Sequence, residues 1–395
     1  MIKGEKKGRG QSLFTFCSFH FLDDGFADSI YLLLPLMAAE LHLSFSQVGL
    51  LKGAFSGSMS LFQVPLSLLG EKVGELTVIA GGTLGLAGGF FFLSMAFTFP
   101  AILACLIFAK GAAAGQHGLA SSLLSRVFER SGRRVAMGTY NFSGDVGKVG
   151  LPFLVAVMIN LWGWRQAISF LAMGGVVVCA VLWTLAEKKG GPGLPQAPLE
   201  ENEGAQGGRW GIRDRRSFSS LLTIGIIDIS ARTALLTFLP FLLLQKGIPP
   251  AQIGFGLTLL FAGGALGKFF CGVLAEWLGI IPMVVGTEVL TSAGILAVFW
   301  LPSSAIWILL PFVGIVLNGT SSVLYATVAE IISPTGRSRG YGLYYAITLG
   351  SGALSPIIYG LVSDSLSLSF AIVGIALMVL VTIPLSRYLS QAGLA

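Results

Sequence analysis

Apolar residues run through this chain in stretches of about 20 or more, the length a helix needs to cross the hydrocarbon core of a bilayer. Polar residues and Gly/Pro clusters separate the stretches. Reading between these breaks predicts twelve helices, over 13–39, 47–70, 76–97, 100–124, 135–160, 164–186, 218–244, 252–276, 281–300, 304–329, 340–363 and 368–390. One long hydrophilic segment, 188–216, carries Gly, Pro, Glu and Arg with no apolar periodicity. It reads as a cytoplasmic linker between a six-helix bundle at 1–187 and a second at 217–395.

Composition agrees with the pattern. The chain is 54% hydrophobic and 11% charged, with a mean hydropathy of +0.81. A soluble domain is roughly 25% charged; so few charges would not cover a water-exposed surface of this size, so the solvent is largely lipid. Of the 25 Lys and Arg residues, 18 fall in the N-terminus and alternate loops, while Arg165 and Lys246 alone fall on the opposite side. This bias places both termini and the central loop in the cytoplasm of a multi-pass protein of a cell membrane, the inner membrane in a bacterium. The basic start at Lys3, Lys6, Lys7 and Arg9 resembles a signal peptide, but the apolar run that follows holds Asp23, Asp24 and Asp28 and lacks a small-x-small cleavage site. It reads as an uncleaved first span.

The two halves repeat. At an offset of 205, Asp23 meets Asp228, Pro35 meets Pro240, Gln47 meets Gln252, Gly74 meets Gly279 and Gly81 meets Gly286. At 204, Gly115 meets Gly319, Arg133 meets Arg337, Tyr140 meets Tyr344 and Pro152 meets Pro356. One insertion accounts for the change. The fold class that follows is an all-α membrane protein, with twelve transmembrane helices in two pseudo-symmetric six-helix bundles and a cavity between them.

These features resemble the major facilitator superfamily. The turns GEKVGE (70–75) and GVLAEWLG (272–279) are similar to its G-x-L-a-D-r-x-G-r signature, with Glu71 and Glu276 in the acidic place and the basic tail nearly missing. The resemblance implies alternating access, with Glu71, Arg133, Glu276 and Arg337 in gating or structural ion pairs. A narrower resemblance is to the fosmidomycin-resistance-like drug exporters. HFLDD (20–24), LSFSQVGLL (43–51), His117 and SGDVGKVGLP (143–152) resemble that branch; Gly118, Leu119, Asp145 and Lys148 depart from it. Branch membership implies proton-coupled export.

An ionisable side chain at mid-bilayer costs ~2.5–3.5 kcal/mol on insertion scales, so each one here requires a partner or a wet cavity. His20, Asp24, Asp28 and Tyr31 follow helical spacing along one face of the first span, a polar stripe suited to a cavity or to interhelical hydrogen bonds. Asp228 and Arg232 are four apart and read equally as a clasp or a binding site. Lys110 and Lys148 lie mid-span, and their repeat mates are glycines, Gly314 and Gly352. Each is either an anion site or the partner of a first-span aspartate. The substrate-binding candidates are Lys110, Lys148, Arg232, His117, His20 and Tyr31. The proton-coupling candidates are Asp23, Asp24, Asp28, Asp145 and Asp228, because a buried carboxyl can change protonation between states. Glu288 reads as peripheral.

The four cysteines are scattered through apolar stretches and the chain holds three histidines, so no metal site or cofactor is expected. The absence of a Gly-Lys-Ser/Thr loop argues against self-powered pumping. No triad or nucleophile elbow marks an enzyme, and no basic stripe marks nucleic-acid binding. The NFS (141–143) and NGT (318–320) sequons lie inside spans, and a glycan there has no room. The expected function is secondary active transport of a small organic, anionic solute or drug, coupled to protons, by a monomer in contact with lipid. Proton-driven uptake and a non-transporting sensor or assembly partner remain open.

Overall fold

A computed structural model describes residues 2–128, 132–188, 212–333 and 337–389. Fourteen helices account for nearly all of them: α1 (Ile2–Leu41), α2 (Phe45–Val73), α3 (Glu75–Ser94), α4 (Phe99–Ala112), α5 (Gln116–Val127), α6 (Arg133–Trp162), α7 (Trp164–Lys188), α8 (Arg215–Gln245), α9 (Pro250–Leu278), α10 (Ile280–Trp300), α11 (Ser303–Ile331), α12 (Arg337–Ser365), α13 (Leu368–Val379) and α14 (Thr382–Ser386). Among the described residues, ten spans are long and apolar enough to cross a membrane. The predicted helices at 13–39 and 47–70 correspond to α1 and α2, whose lengths of 40 and 29 residues also suffice. Asp23, Asp24 and Asp28 dilute the apolar character of α1; Ser, Gln and Lys52 dilute that of α2. Most of the linker read at 188–216 lies outside the described residues.

Two predicted spans are broken. The helix expected at 100–124 stops at Ala112 and restarts at Gln116. The one expected at 368–390 stops at Val379 and restarts at Thr382. The first break falls between two candidate site residues. It puts Lys110 in the last turn of α4, where the carbonyl end of the helix favours a cation, and His117 in the first turn of α5.

The chain divides into two compact units: Met1–His42 with Ala54–Pro198, and Leu43–Gly53 with Leu199–Ala395. The start of α2 belongs to the second unit because Asp364 of α12 accepts hydrogen bonds from the backbone N–H groups of Phe45 and Ser46, both at 2.8 Å. In the first unit Phe16, Phe19, Ile79, Leu123, Tyr140 and Cys179 form a buried core. In the second, Phe218, Leu221, Val284, Leu324, Val328 and Tyr344 do so. Large apolar side chains such as Leu61, Trp277 and Trp300 are more than 70% exposed, as expected of residues that face acyl chains.

The repeat is visible in backbone detail. Gly74 and Gly279, paired in the sequence, precede α3 and α10 with φ of 99° and 87°, conformations that glycine adopts without penalty. Asp23 and Asp228 are both buried, and so are Tyr140 and Tyr344. Arg165 and Lys246, which the loop pattern sets apart from the other basic residues, each tie helix ends within their own unit. Arg165 bonds to Glu40 at 2.8 Å and to the carbonyls of Ser94 and Ala96. Lys246 donates to the Leu301 carbonyl at 2.8 Å. These bonds hold Glu40 below the usual carboxylate range, Arg165 being the main cause.

Candidate transport site in the first unit

The polar stripe of α1 meets α4, α5 and α6 in one connected cluster. Lys110 donates to both carboxylate oxygens of Asp23 at 3.1 Å. The pair is sealed, with side chains 6% and 0% exposed. Lys148 lies 3.1 Å from Asp24 and 3.7 Å from Asp145, and its side chain is 28% exposed. His117 bridges the two pairs, with Nε2 3.6 Å from Asp23 and 3.7 Å from Asp24, and is 34% exposed. Asp28, one turn beyond Asp24, is within electrostatic reach of Lys148. Tyr31 is buried further along α1. The cluster is therefore closed at Asp23–Lys110 and open at Lys148 and His117.

His20 joins the cluster through both ring nitrogens. Its Nδ1 is 2.7 Å from the backbone carbonyl of Tyr140. A carbonyl only accepts, so Nδ1 carries a hydrogen. Its Nε2 is 3.3 Å from Asp24 Oδ2. That nitrogen and the carboxylate are close enough to share a proton when one is present. The imidazole is fixed in place: it stacks on the Tyr140 ring with centroids 4.0 Å apart and meets His117 edge-on at 5.0 Å.

Gly144 of α6 makes that contact possible. A Cβ built there would lie 2.5 Å from Asp24 Oδ2 and 2.6 Å from His20 Cε1. One turn on, a Cβ at Gly147 would overlap the Phe21 carbonyl. The two glycines let α6 close onto α1, which brings Lys148 to Asp24. An apolar groove of about 560 Å³ lies where α1, α6 and α7 meet, lined in part by Phe21, Phe26, Leu151, Met158 and Phe170. Ser143 lines it too and donates to the Tyr140 carbonyl at 2.6 Å, so groove and cluster share one backbone oxygen.

Ligand atoms of His20, Asp24 and His117 lie within 4.8 Å of one another, a grouping that sequence spacing did not anticipate. The ammonium groups of Lys148 and Lys110 already face the two adjacent carboxylates, and a dication would have to displace them.

The remaining candidates lie elsewhere. In the second unit Asp228 accepts from Ser321 at 2.9 Å, and Arg232 donates to Asn318 at 3.3 Å. Glu276 is exposed. Glu71 is exposed and engaged by a neighbour. The side chains of Arg133 and Arg337 fall outside the described residues. An ion pair near those turns joins Arg126 of α5 to Glu75 in the first turn of α3. Sequence reasoning passed over Glu75, although an acidic residue in a first helical turn is a recognisable signal. It also passed over Asn318, because a sequon drew attention away from the side chain, and the ring of Tyr140.

Family comparisons agree with the architecture. The Major Facilitator Superfamily profile matches residues 16–227 and 221–391. The chain belongs to that superfamily and is a multi-pass secondary transporter. It is similar to the fosmidomycin resistance protein of Escherichia coli, 25% identical over 382 residues that cover 88% of this chain and 85% of the relative. It is also similar to an MFS-type efflux pump of Mycolicibacterium smegmatis, 26% identical over 374 residues, covering 88% and 84%. Among solved structures, a bacterial homolog of the human lysosomal transporter Spinster, inward-facing and occupied, superposes with a TM-score of 0.77 at 17% identity, covering 96% of both chains. The nucleoside transporter NupG gives 0.78 at 14% identity, covering 96% of this chain and 99% of its own. At such identity these two likenesses speak to the fold alone.

Proposed function

We propose that the protein exports a small organic anion or anionic amphiphile in exchange for protons, with the α1–α6 cluster as the coupling site. The observation that carries this reading is the contact of His20, Lys148 and Asp24, in which a proton and an ammonium compete for one carboxylate oxygen. Because Asp24 and its proton bear directly on the Lys148 ammonium, proton binding and solute binding at the cluster are linked, and exchange requires that the two be carried in opposite half-cycles. His117 and Lys148 are the groups open enough to meet a solute. The neighbouring groove suits an apolar tail. The sealed Lys110–Asp23 pair serves to hold α4 on α1. The efflux relatives support the outward direction.

The test is flux in proteoliposomes under an imposed pH gradient, with a panel of carboxylates, phosphonates and anionic amphiphiles. A panel compound should move against the proton flow, and Asp24→Asn should uncouple the two. Movement with the proton would identify a symporter. Background flux for every compound would favour a non-transporting sensor.

A further inference from the structure

The break between α4 and α5 falls at 113–115, in the middle of the span Phe99–Leu124. Inside a bilayer no bulk water meets the polar groups of an interrupted helix, so neighbouring side chains or ordered water must do so. The residues of the break offer no polar side chain and little bulk: Ala113 and Ala114 carry one methyl group each, and Gly115 carries none.

The first residue after the break is Gln116, whose side chain is buried at 2% exposure. Leu119, Ala120 and Leu123 follow it at helical spacing on the same face of α5, and all three pack in one core with Tyr140 of α6. The next residue, His117, meets His20 edge-on at 5.0 Å, and His20 stacks on Tyr140 at 4.0 Å. Gln116 and Tyr140 are thus brought together, close enough to interact.

Neither is satisfied there. Among the described residues, no group hydrogen-bonds to the Gln116 side-chain oxygen, to its nitrogen or to the Tyr140 hydroxyl, and all three atoms are buried. The charged groups around them are committed elsewhere: Lys110 to Asp23, Lys148 to Asp24, and His20 Nδ1 to the Tyr140 carbonyl. A side-chain amide has a donor end and an acceptor end. A small turn that joined Gln116 directly to Tyr140 would serve one end and leave the other bare. Buried polar groups in this position are met by ordered water, which makes about three hydrogen bonds to such partners.

We propose that the α4–α5 break binds one water molecule, held by the Gln116 amide and the Tyr140 hydroxyl. The ligand is water and not part of the solute, because these two side chains are sealed whereas Lys148 and His117 are open. The water takes over contacts that the interrupted helix gives up. The site stands whether or not the α1–α6 cluster couples transport.

X-ray radiolytic labelling of the purified full chain tests it, because hydroxyl radicals form from water and attack an adjacent aromatic ring before they diffuse. Tyr388, which is 38% exposed, is the positive control. Tyr140 should take up oxygen despite its burial. Gln116→Met keeps the side-chain length and removes both polar atoms; it should lose most of the Tyr140 label while Tyr388 keeps its own. An unlabelled Tyr140 beside a labelled Tyr388 would overturn the site, and so would an undiminished Tyr140 label in folded Gln116→Met. If that variant does not fold, a cryo-EM map of the unmodified chain that resolves ordered water replaces it. A peak within hydrogen-bonding distance of both groups supports the site, and no peak there, with ordered water visible elsewhere in the spans, overturns it. None of these readouts depends on transport.

Discussion

Lys148 and Asp24 meet at 3.1 Å across the α1–α6 crossing, and the same carboxylate oxygen also faces His20 at 3.3 Å. One acceptor atom with two rival donors is unstable to changes in proton number. Removing Lys148 should leave Asp24 to His20 and His117, and removing Asp24 should leave the ammonium with the more distant Asp145. Because Lys148 is partly exposed, each single change (Lys148→Gln, Asp24→Asn) should lower stability by about 1–3 kcal/mol, below the 3–5 typical of a fully buried pair. The double change should recover part of the loss in a detergent melting experiment while solute flux stays at background. Strictly additive losses would show that the two side chains are not coupled.

The Asp23–Lys110 pair should behave differently. It is sealed, and Lys110 donates to both oxygens. Lys110→Met should cost about 3–5 kcal/mol by stranding Asp23. Lys110→Met combined with Asp23→Leu should restore the melting temperature. Restored stability together with near-normal flux would mark the pair as a clasp. Lost solute affinity in the refolded double variant would give Lys110 a role in binding.

Gly144→Ala probes the cluster without altering a charge. The added methyl group meets Asp24 and His20, and such overpacking costs about 1–3 kcal/mol. We expect intact expression and helicity with solute flux lowered at least about tenfold, a change of about 1.4 kcal/mol in the productive geometry. Unchanged flux would mean that the His20–Asp24 contact is not part of the transport cycle.

Glu40 and Arg165 supply a pH test outside the spans. The folded-state value of Glu40 lies below its ordinary 4.5. Its contribution is therefore complete above 4.5 and declines as pH falls through the lower folded value. Melting temperature should fall on acidification through that window, and Arg165→Gln should remove this part of the pH dependence. An unchanged slope in the variant would exclude the pair as its source.

Much of this was legible in the chain. The i, i+4 spacing of His20, Asp24 and Asp28 placed them on one face of α1, because a helix fixes that relation locally. The repeat put Gly74 and Gly279, and Asp23 and Asp228, in matching places. Which lysine would meet which aspartate was not legible, since that depends on how close α6 comes to α1. The breaks at 113–115 and 380–381 escaped detection because their residues are as apolar as the helices beside them.

The absence of any side chain at Gly147 has a mechanical corollary. With the α6 backbone resting directly on the Phe21 carbonyl, no flexible layer separates the two helices to absorb sliding. Any motion of the first unit that slid α1 along α6 would have to part the two backbones at this crossing, so the two helices are expected to move together there.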